Sequence, residues 1–259
     1  MMDAEREEII IRTVQRGLVV SVQELVSITG ASEATIRRDL TKLEKCKQIK
    51  RTRGGAKLPD GMKPSIKQPQ LKETPFAYRK NVMDEKKRLI AKCAVSLCGE
   101  DETILIDGGT TTYNMVDFLM GSRLQIITNS FPMAEALVST SNKIILTGGI
   151  LNPESLLVLD PEPESLISRY YASKLFLGIG GIDETGFTNS DLQVIQSERA
   201  MLKQSREIIV LADSSKFGKR GALLLCGFNK VHAVITDSGI PEEYKKLLSS
   251  HGIKVVIAN

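Results

Sequence analysis

Between positions 107 and 112 the chain reads Asp107-Gly108-Gly109-Thr110-Thr111-Thr112. Paired glycines let backbone N–H groups approach an anion, and the threonines add hydroxyl donors. A helix is expected to start near residue 112, so that its N-terminus faces the loop, an arrangement that suits phosphate. The loop is neither the GxxxxGK[ST] of a Walker A motif nor GxGxxG, so nucleotide binding has little motif support. Later, Asp213-Ser214-Ser215-Lys216 brings a carboxylate and an ammonium to one place. Thr128-Asn129-Ser130 and Thr147-Gly148-Gly149 offer small donors and acceptors suited to hydroxyl groups. Asp183, in Gly-Ile-Asp-Glu-Thr-Gly, is a further candidate against a plain turn role. A sugar phosphate needs both kinds of partner: N–H or cationic donors for its phosphate, and Asp, Asn, Ser or Thr for its hydroxyls.

Other chemistries find little support. None of the four cysteines, Cys46, Cys93, Cys98 and Cys226, forms a CxxC pair, and they read as reduced structural thiols. The two histidines, His232 and His251, argue against a His-based metal site or triad, and no cofactor or metal is expected. An isomerase needs a base placed to move a proton next to a carbonyl. Asp107, Asp183 and Asp213 are available for that, but no distinct acid–base pair stands out. The chain is therefore not expected to be an enzyme, and a sugar-phosphate isomerase with an appended module is kept as the alternative. A nucleic-acid-binding protein without a ligand is a third reading.

The elements that must position these loops are short apolar runs, each ending in a polar or glycine loop: 103–106, 125–127, 143–146, 175–179, 207–211, 233–235 and 253–258. Helical segments lie between most of them. The spacing predicts one over 84–98, with Ile90, Ala94, Val95 and Leu97 inward. Alternating strands and helices imply a mostly parallel sheet with helices on both faces, an α/β fold. In such folds ligands bind outside the carboxyl ends of the strands, where the polar loops lie.

The first 57 residues follow a different plan. A helix is predicted over 4–16, with Ile9, Ile10, Thr13 and Val14 buried and Gly17 ending it. Ser21 with Glu24 reads as a capping box for a second helix, whose apolar face is Val22, Leu25, Val26 and Ile28. Gly30 suits a left-handed turn residue. Ser32 caps a third helix, in which Ile36, Leu40 and Leu43 face the core. Its opposite face carries Glu33, Thr35, Arg37, Arg38, Asp39 and Lys42, with Asp39 expected to pair with an Arg inside the chain. The alternating stretch 48–53 then meets Gly54-Gly55 as a hairpin. This is the pattern of a winged helix-turn-helix. Ser32, Thr35, Arg37, Arg38 and Lys42 are the candidate DNA contacts on the helix; Lys50, Arg51 and Arg53 are those on the wing, where contacts to the DNA backbone give affinity without sequence information.

Charge supports that reading. Residues 31–57 hold nine Lys or Arg against three acids, a net +6 within a chain of 259 residues whose total is +4. The rest is therefore about −2, and the basic patch coincides with the helix-turn-helix. Composition is otherwise that of a soluble globular protein, at 42% hydrophobic and 25% charged. No apolar run reaches the ~18–20 residues of a membrane span and the N-terminus is unlike a signal peptide, so a cytoplasmic location is expected. Residues 58–75 contain four prolines and read as an extended linker. The expected organisation is thus a DNA-binding domain over 1–57, a linker over 58–75 and an effector-sensing and oligomerisation domain over 76–259.

Ala-Thr-Ile-Arg-Arg-Asp-Leu-Thr-Lys-Leu-Glu-Lys followed by Arg-Thr-Arg-Gly-Gly-Ala resembles the signature of DeoR-type bacterial transcriptional regulators. IDGGTTT, ITNS, LTGG, GIGGID and ADSSKFG, in that order, resemble the sensor domain of the same family. That domain is similar in fold to ribose-5-phosphate isomerase. The resemblance implies a regulator, in most cases a repressor of a sugar-utilisation operon, that binds operator DNA as a homo-oligomer, a dimer or tetramer. It implies a phosphorylated sugar or sugar derivative as effector. By motif, residues 108–112 would bind phosphate, and Asp213 and Lys216 would be needed for the response. The chain departs from the family pattern at Val194-Ile195, where an acidic residue followed by Ala is common, and at Asp160, where Gly is common.

Overall fold

In the strand Thr103–Ile106, Ile104 and Ile106 belong to one apolar cluster and Leu105 to another, and all three are fully buried. A strand covered on both faces reads as an unbroken apolar run. This strand lies near the middle of a seven-stranded sheet in a computed structural model that describes residues 3–15, 20–52, 54–57, 59, 76, 84–162 and 164–259. The chain divides into two units, Met1–Lys72 and Glu73–Asn259.

In the second unit the strand order is Lys254–Ile257, Ala233–Thr236, Ser205–Leu211, Ala172–Gly178, Thr103–Ile106, Gln125–Thr128 and Lys143–Leu146, with every neighbouring pair parallel. Ile90, Ala94, Leu119, Met133 and Leu137 cover one face together with Ile104, Ile126 and Phe176. Ile167, Ile195, Met201, Tyr244 and Leu248 cover the other with Leu105, Leu177 and Val210. Helices therefore flank both faces, as expected. From Thr103–Ile106 the chain steps outward through Gln125–Thr128 to Lys143–Leu146. It then crosses back to Ala172–Gly178 on the opposite side and continues outward to Lys254–Ile257. The reversal falls between Thr103–Ile106 and Ala172–Gly178, where such sheets open a crevice at the strand ends.

Two antiparallel additions were not legible in the sequence. One is a hairpin of Ile150–Leu151 with Val158–Leu159, and the other a small sheet of Gly181–Asp183, Gly186–Asn189 and Leu223–Cys226. The helix expected over 84–98 spans Asp84–Val95, and residues 96–97 turn away, leaving Leu97 exposed rather than inward.

In the first unit the helices are Asp3–Gln15, Val22–Thr29 and Glu33–Lys45. Ile10, Val14, Leu25, Ile36, Leu40 and Leu43 make an apolar core between them. The Ser21–Glu24 capping box is present, and Gly30 is left-handed at φ 67°. Ile28 is exposed instead of inward; Thr29, at seven residues from Val22, takes the buried place, and its hydroxyl donates to Leu25 O at 2.6 Å. The wing pairs Lys50–Thr52 with Gly55–Lys57, and a third strand, Val20–Ser21, joins beside Gly55 and Ala56. A Cβ on Gly55 would lie 1.9 Å from Val20 O, so only glycine permits that pairing. Gly17, Arg53 and the linker residues 58–75, Pro59 apart, lie outside the described residues.

Candidate DNA interface and effector cavity

The third helix presents its candidate residues at its start. Ser32 accepts the Thr35 N–H at 3.2 Å, and the two hydroxyls are 2.9 Å apart. Arg37 and Arg38 are exposed. Arg37 is held by Glu33 at 2.5 and 2.9 Å, an i,i+4 pair of the kind worth about 0.3–0.5 kcal/mol, which is little to give up for a phosphate or guanine. Arg38 has no ion pair among the described residues. Lys42 pairs with Glu7 at 2.6 Å. On the wing, Lys50 and Arg51 are exposed, and the Arg51 guanidinium donates to Thr41 Oγ1 at 2.9 Å while its backbone N–H donates to Glu44.

Asp39 is not on the exposed face. It is 6% exposed and accepts from Arg6 Nε at 2.6 Å and Nη2 at 3.3 Å, because a residue between Ile36 and Leu40 shares their inward side. The expected Arg partner thus exists, and it comes from the first helix.

In the second unit a cavity of about 300 Å³ opens at the strand reversal. Asp107, Gly108, Gly109, Thr110 and Thr111 line it from the loop after Thr103–Ile106; Gly178, Ile179 and Gly180 line it from the end of Ala172–Gly178; Asp213, Ser215 and Lys216 line it from the loop after Ser205–Leu211. Three loops spread over residues 107–216 meet because their strands are neighbours. The helix after the first loop begins at Thr110 and lasts four residues, so it contributes little dipole, and the donors are those of the loop itself. A Cβ on Gly108 would meet Leu157 Cδ2 at 2.0 Å, since the hairpin loop presses Leu157 into the wall beside it.

The remaining candidates form a second layer. Asn129 Oδ1 accepts the Gly108 N–H at 2.7 Å, and its amide donates to Asp107 at 3.3 Å and Ser197 at 3.4 Å. Thr128 accepts the Ser130 N–H, and Ser130 caps the helix Phe131–Leu137. Thr112 is fully buried and its hydroxyl donates to Gly109 O. Thr147, Gly148 and Gly149 turn the chain into the 150–159 hairpin and are not among the residues lining the cavity. Asp183 also lies outside the lining. Burial pushes its carboxyl up, but hydrogen bonds from Arg220 and Thr185 outweigh that and bring its pKa to about 2.

Sequence reasoning missed Lys87, Lys219, Asn189 and Glu198, all of which line the cavity. Glu198 is buried and accepts from Asn189 Nδ2 at 2.8 Å. The only signal for Lys87 and Glu198 was a charge at an inward position of an amphipathic helix. Val194, one of the departures from the family pattern, also lines the cavity, and Ile195 packs in the core. Burial pushes the Cys98 and Cys226 thiols up to about 12, consistent with unreactive thiols. His232 accepts the Ile208 N–H at 3.1 Å, a structural role. Among the described residues no cluster suits a metal ion, and no helix is long and apolar enough to cross a membrane.

Residues 6–61 match the family model of the DeoR-like helix-turn-helix domain, and residues 82–238 that of the DeoR C terminal sensor domain. The chain is 34% identical over 257 residues to the uncharacterized HTH-type transcriptional regulator YulB of Bacillus subtilis (strain 168), covering 98% of this chain and 96% of that one. It is 28% identical to the HTH-type transcriptional regulator UlaR of Shigella dysenteriae serotype 1 (strain Sd197), covering 99% of both. Among solved structures, ribose 5 phosphate isomerase A from Neisseria gonorrhoeae is similar with a TM-score of 0.38 and 20% identity, over 53% of this chain and 55% of that one.

Proposed function

The chain belongs to the DeoR family of DNA-binding transcriptional regulators, and from that premise we propose that a phosphorylated sugar or sugar derivative in the strand-reversal cavity sets its affinity for operator DNA. The observation that carries this reading is the make-up of the cavity wall. Lys216 and Lys219 supply charge for a phosphate and the loop 108–111 supplies N–H and hydroxyl donors, while Asp107, Asp213, Glu198 and Asn189 supply acceptors for hydroxyls. A volume of about 300 Å³ lies at the small end of ligand pockets. Thr112, Thr128, Asn129 and Ser130 act in this reading by shaping the loops, not by touching the ligand.

An effector that prefers the conformation binding DNA poorly lowers operator affinity, and DNA then lowers effector affinity by the same factor. Repression relieved by the effector is the direction proposed. Helix-turn-helix proteins commonly bind paired half-sites as symmetric oligomers, so a dimer or tetramer formed through residues 76–259 belongs to the proposal, as does a cytoplasmic location. Arg37 and Arg38, with Ser32, Thr35, Lys42, Lys50, Arg51 and Arg53, are the proposed DNA contacts.

The test is a thermal-shift panel of pentose and hexose phosphates on the full chain, followed by DNA release from a duplex selected by the chain from a random pool. One member should raise the melting midpoint and release the duplex. Lys216→Ala should keep DNA binding and lose the response; normal release by that variant would remove Lys216 from the site. Turnover of a panel member, lost in Asp213→Ala, would replace the sensor with an enzyme.

A further inference from the structure

The helix Asp84–Val95 carries two adjacent lysines in its first turn, where positive charge opposes the helix dipole. The two side chains go to different places. Lys87 lines the cavity and is 4% exposed. Lys86 lies outside the lining, and its Nζ donates to Asp237 Oδ1 at 2.8 Å and to Ser214 Oγ at 3.1 Å. Asp237 also accepts the Ser214 N–H at 2.6 Å and the Gly239 N–H at 2.9 Å. Burial pushes the Asp237 carboxyl up, but Lys86 and these amides outweigh it and hold the group below the usual carboxylate range. Lys86 is thereby keyed to the turn Ser214–Lys216, from which Ser215 and Lys216 face the cavity.

A second fastening lies just after the linker. Phe76 is buried, its ring meets Tyr113 edge-on at 5.4 Å and 86°, and its N–H donates to Glu154 O at 3.0 Å. Tyr113 ends the short helix that begins at Thr110, and Glu154 lies in the loop that delivers Leu157 to the cavity wall. The chain from Phe76 onward is thus attached, at Phe76 and again at Lys86, to three of the loops that shape the cavity.

We propose that Lys86 and Lys87 form an occupancy relay: Lys87 pairs with an anion in the cavity, Lys86 ties the same helical turn to the Asp237–Ser214 network, and a filled cavity fixes the first turn of Asp84–Val95. The proposal rests on the cavity being an effector site. First turns of helices are among the segments that open most easily. A lysine that gains a charge-assisted bond loses rotamer freedom and holds its turn in place. The effector then has the differential contact that any ligand-driven shift requires.

Hydrogen exchange on the full chain, with inorganic phosphate as the probe, tests the relay. In the wild-type chain phosphate should slow exchange in the loop 107–111, in the turn 213–216 and in the first turns of Asp84–Val95. Lys87→Met should weaken phosphate binding by roughly tenfold or more, as expected on losing a bond to a charged group. At saturating phosphate the loop 107–111 should still be protected and the helix not. Lys86→Gln, at a half-exposed site, should keep the loop 107–111 protected at saturating phosphate, yet lose the helical protection. If Lys87→Met does not fold, Lys86→Gln decides. Absence of protection at 107–111 in the wild-type chain would remove the anion reading of the cavity itself. Protected loops beside an unaffected helix, or full helical protection in Lys86→Gln, would overturn the relay and leave the cavity reading standing.

Discussion

Asp39→Ala is expected to disable DNA binding without removing a DNA contact. The Asp39 carboxylate and the Arg6 guanidinium have side-chain exposures of 8% and 9%, and the carboxylate takes two hydrogen bonds at 2.6 and 3.3 Å. Deleting one partner of such a pair leaves a buried charge without those bonds and costs about 3–5 kcal/mol. The unit Met1–Lys72 is small. For a domain of that size each kcal/mol moves the melting midpoint by about 4–8 °C, so the first unit should melt at least roughly 12 °C lower. The second unit, which contains neither residue, should melt unchanged. Calorimetry or far-UV melting of the full chain reads both transitions, and a gel-shift titration reads DNA binding. The contrast is the double variant Arg6→Met/Asp39→Leu. Replacing a buried pair by apolar side chains is often neutral, so it should melt above Asp39→Ala and recover DNA binding. An Asp39→Ala chain that melts normally yet fails to bind DNA would refute the reasoning, because Asp39 would then act at the interface and not in the core.

Arg38→Ala should change stability by less than about 0.5 kcal/mol, as surface substitutions do, while lowering affinity for the selected duplex; unchanged affinity on titration would take the residue out of the interface. Gly108→Ala places a methyl 2.0 Å from Leu157 Cδ2 and 3.0 Å from Asn129 Oδ1. Leu157 can swing away, so the fold should survive at a cost of about 1–3 kcal/mol, but the cavity wall moves, and thermal shift by phosphate or any sugar phosphate should vanish. Arg220→Ala tests the Asp183 pair through pH. A carboxyl at about 2 in the folded chain, below its unfolded value, stabilises the fold above the unfolded pKa, and that contribution is lost as pH falls through about 2. Without Arg220 the folded pKa rises towards the unfolded value, so the variant should melt lower than the wild-type chain at neutral pH and lose less of its melting midpoint on acidification below about pH 4. An identical acid profile would contradict the pairing.

The DNA-binding unit was largely legible in the sequence because its determinants are local. Ser21 and Glu24, Gly30, Ser32 and the spacing of Ile36, Leu40 and Leu43 each fix structure within one or two turns. What escaped was non-local: the third strand at Val20–Ser21, and the burial of Asp39 against a helix more than thirty residues earlier. The seven parallel strands were legible for a similar reason, since doubly covered strands announce themselves as apolar runs. Their order was not. Order depends on which connection crosses back over the sheet, and no residue within a strand encodes that choice.

Strand order helps to separate the candidate loops into those that line the cavity and those that support it. Every polar loop sits at a carboxyl strand end, so position at a strand end alone puts 107–112, 128–130, 147–149 and 213–216 on an equal footing. The reversal between Thr103–Ile106 and Ala172–Gly178 breaks that equality. The loops beside it face the crevice, and so does 213–216 from one strand further out on one side. The loop after Gln125–Thr128 is one strand further out, and there Asn129 acts by accepting the Gly108 N–H and donating to Asp107. The loop after Lys143–Leu146 is two strands out and serves to turn the chain into the hairpin that returns Leu157 to the wall. The same rule explains the residues the sequence missed. Lys87 and Glu198 come from helices on opposite faces of the sheet, and a crevice at a strand reversal is open to both faces at once. A cavity so placed takes Lys87 and Glu198 from helices and Asp107, Asp213, Lys216 and Lys219 from the loops and turns at the strand ends, so a search confined to loop motifs overlooks the helical pair.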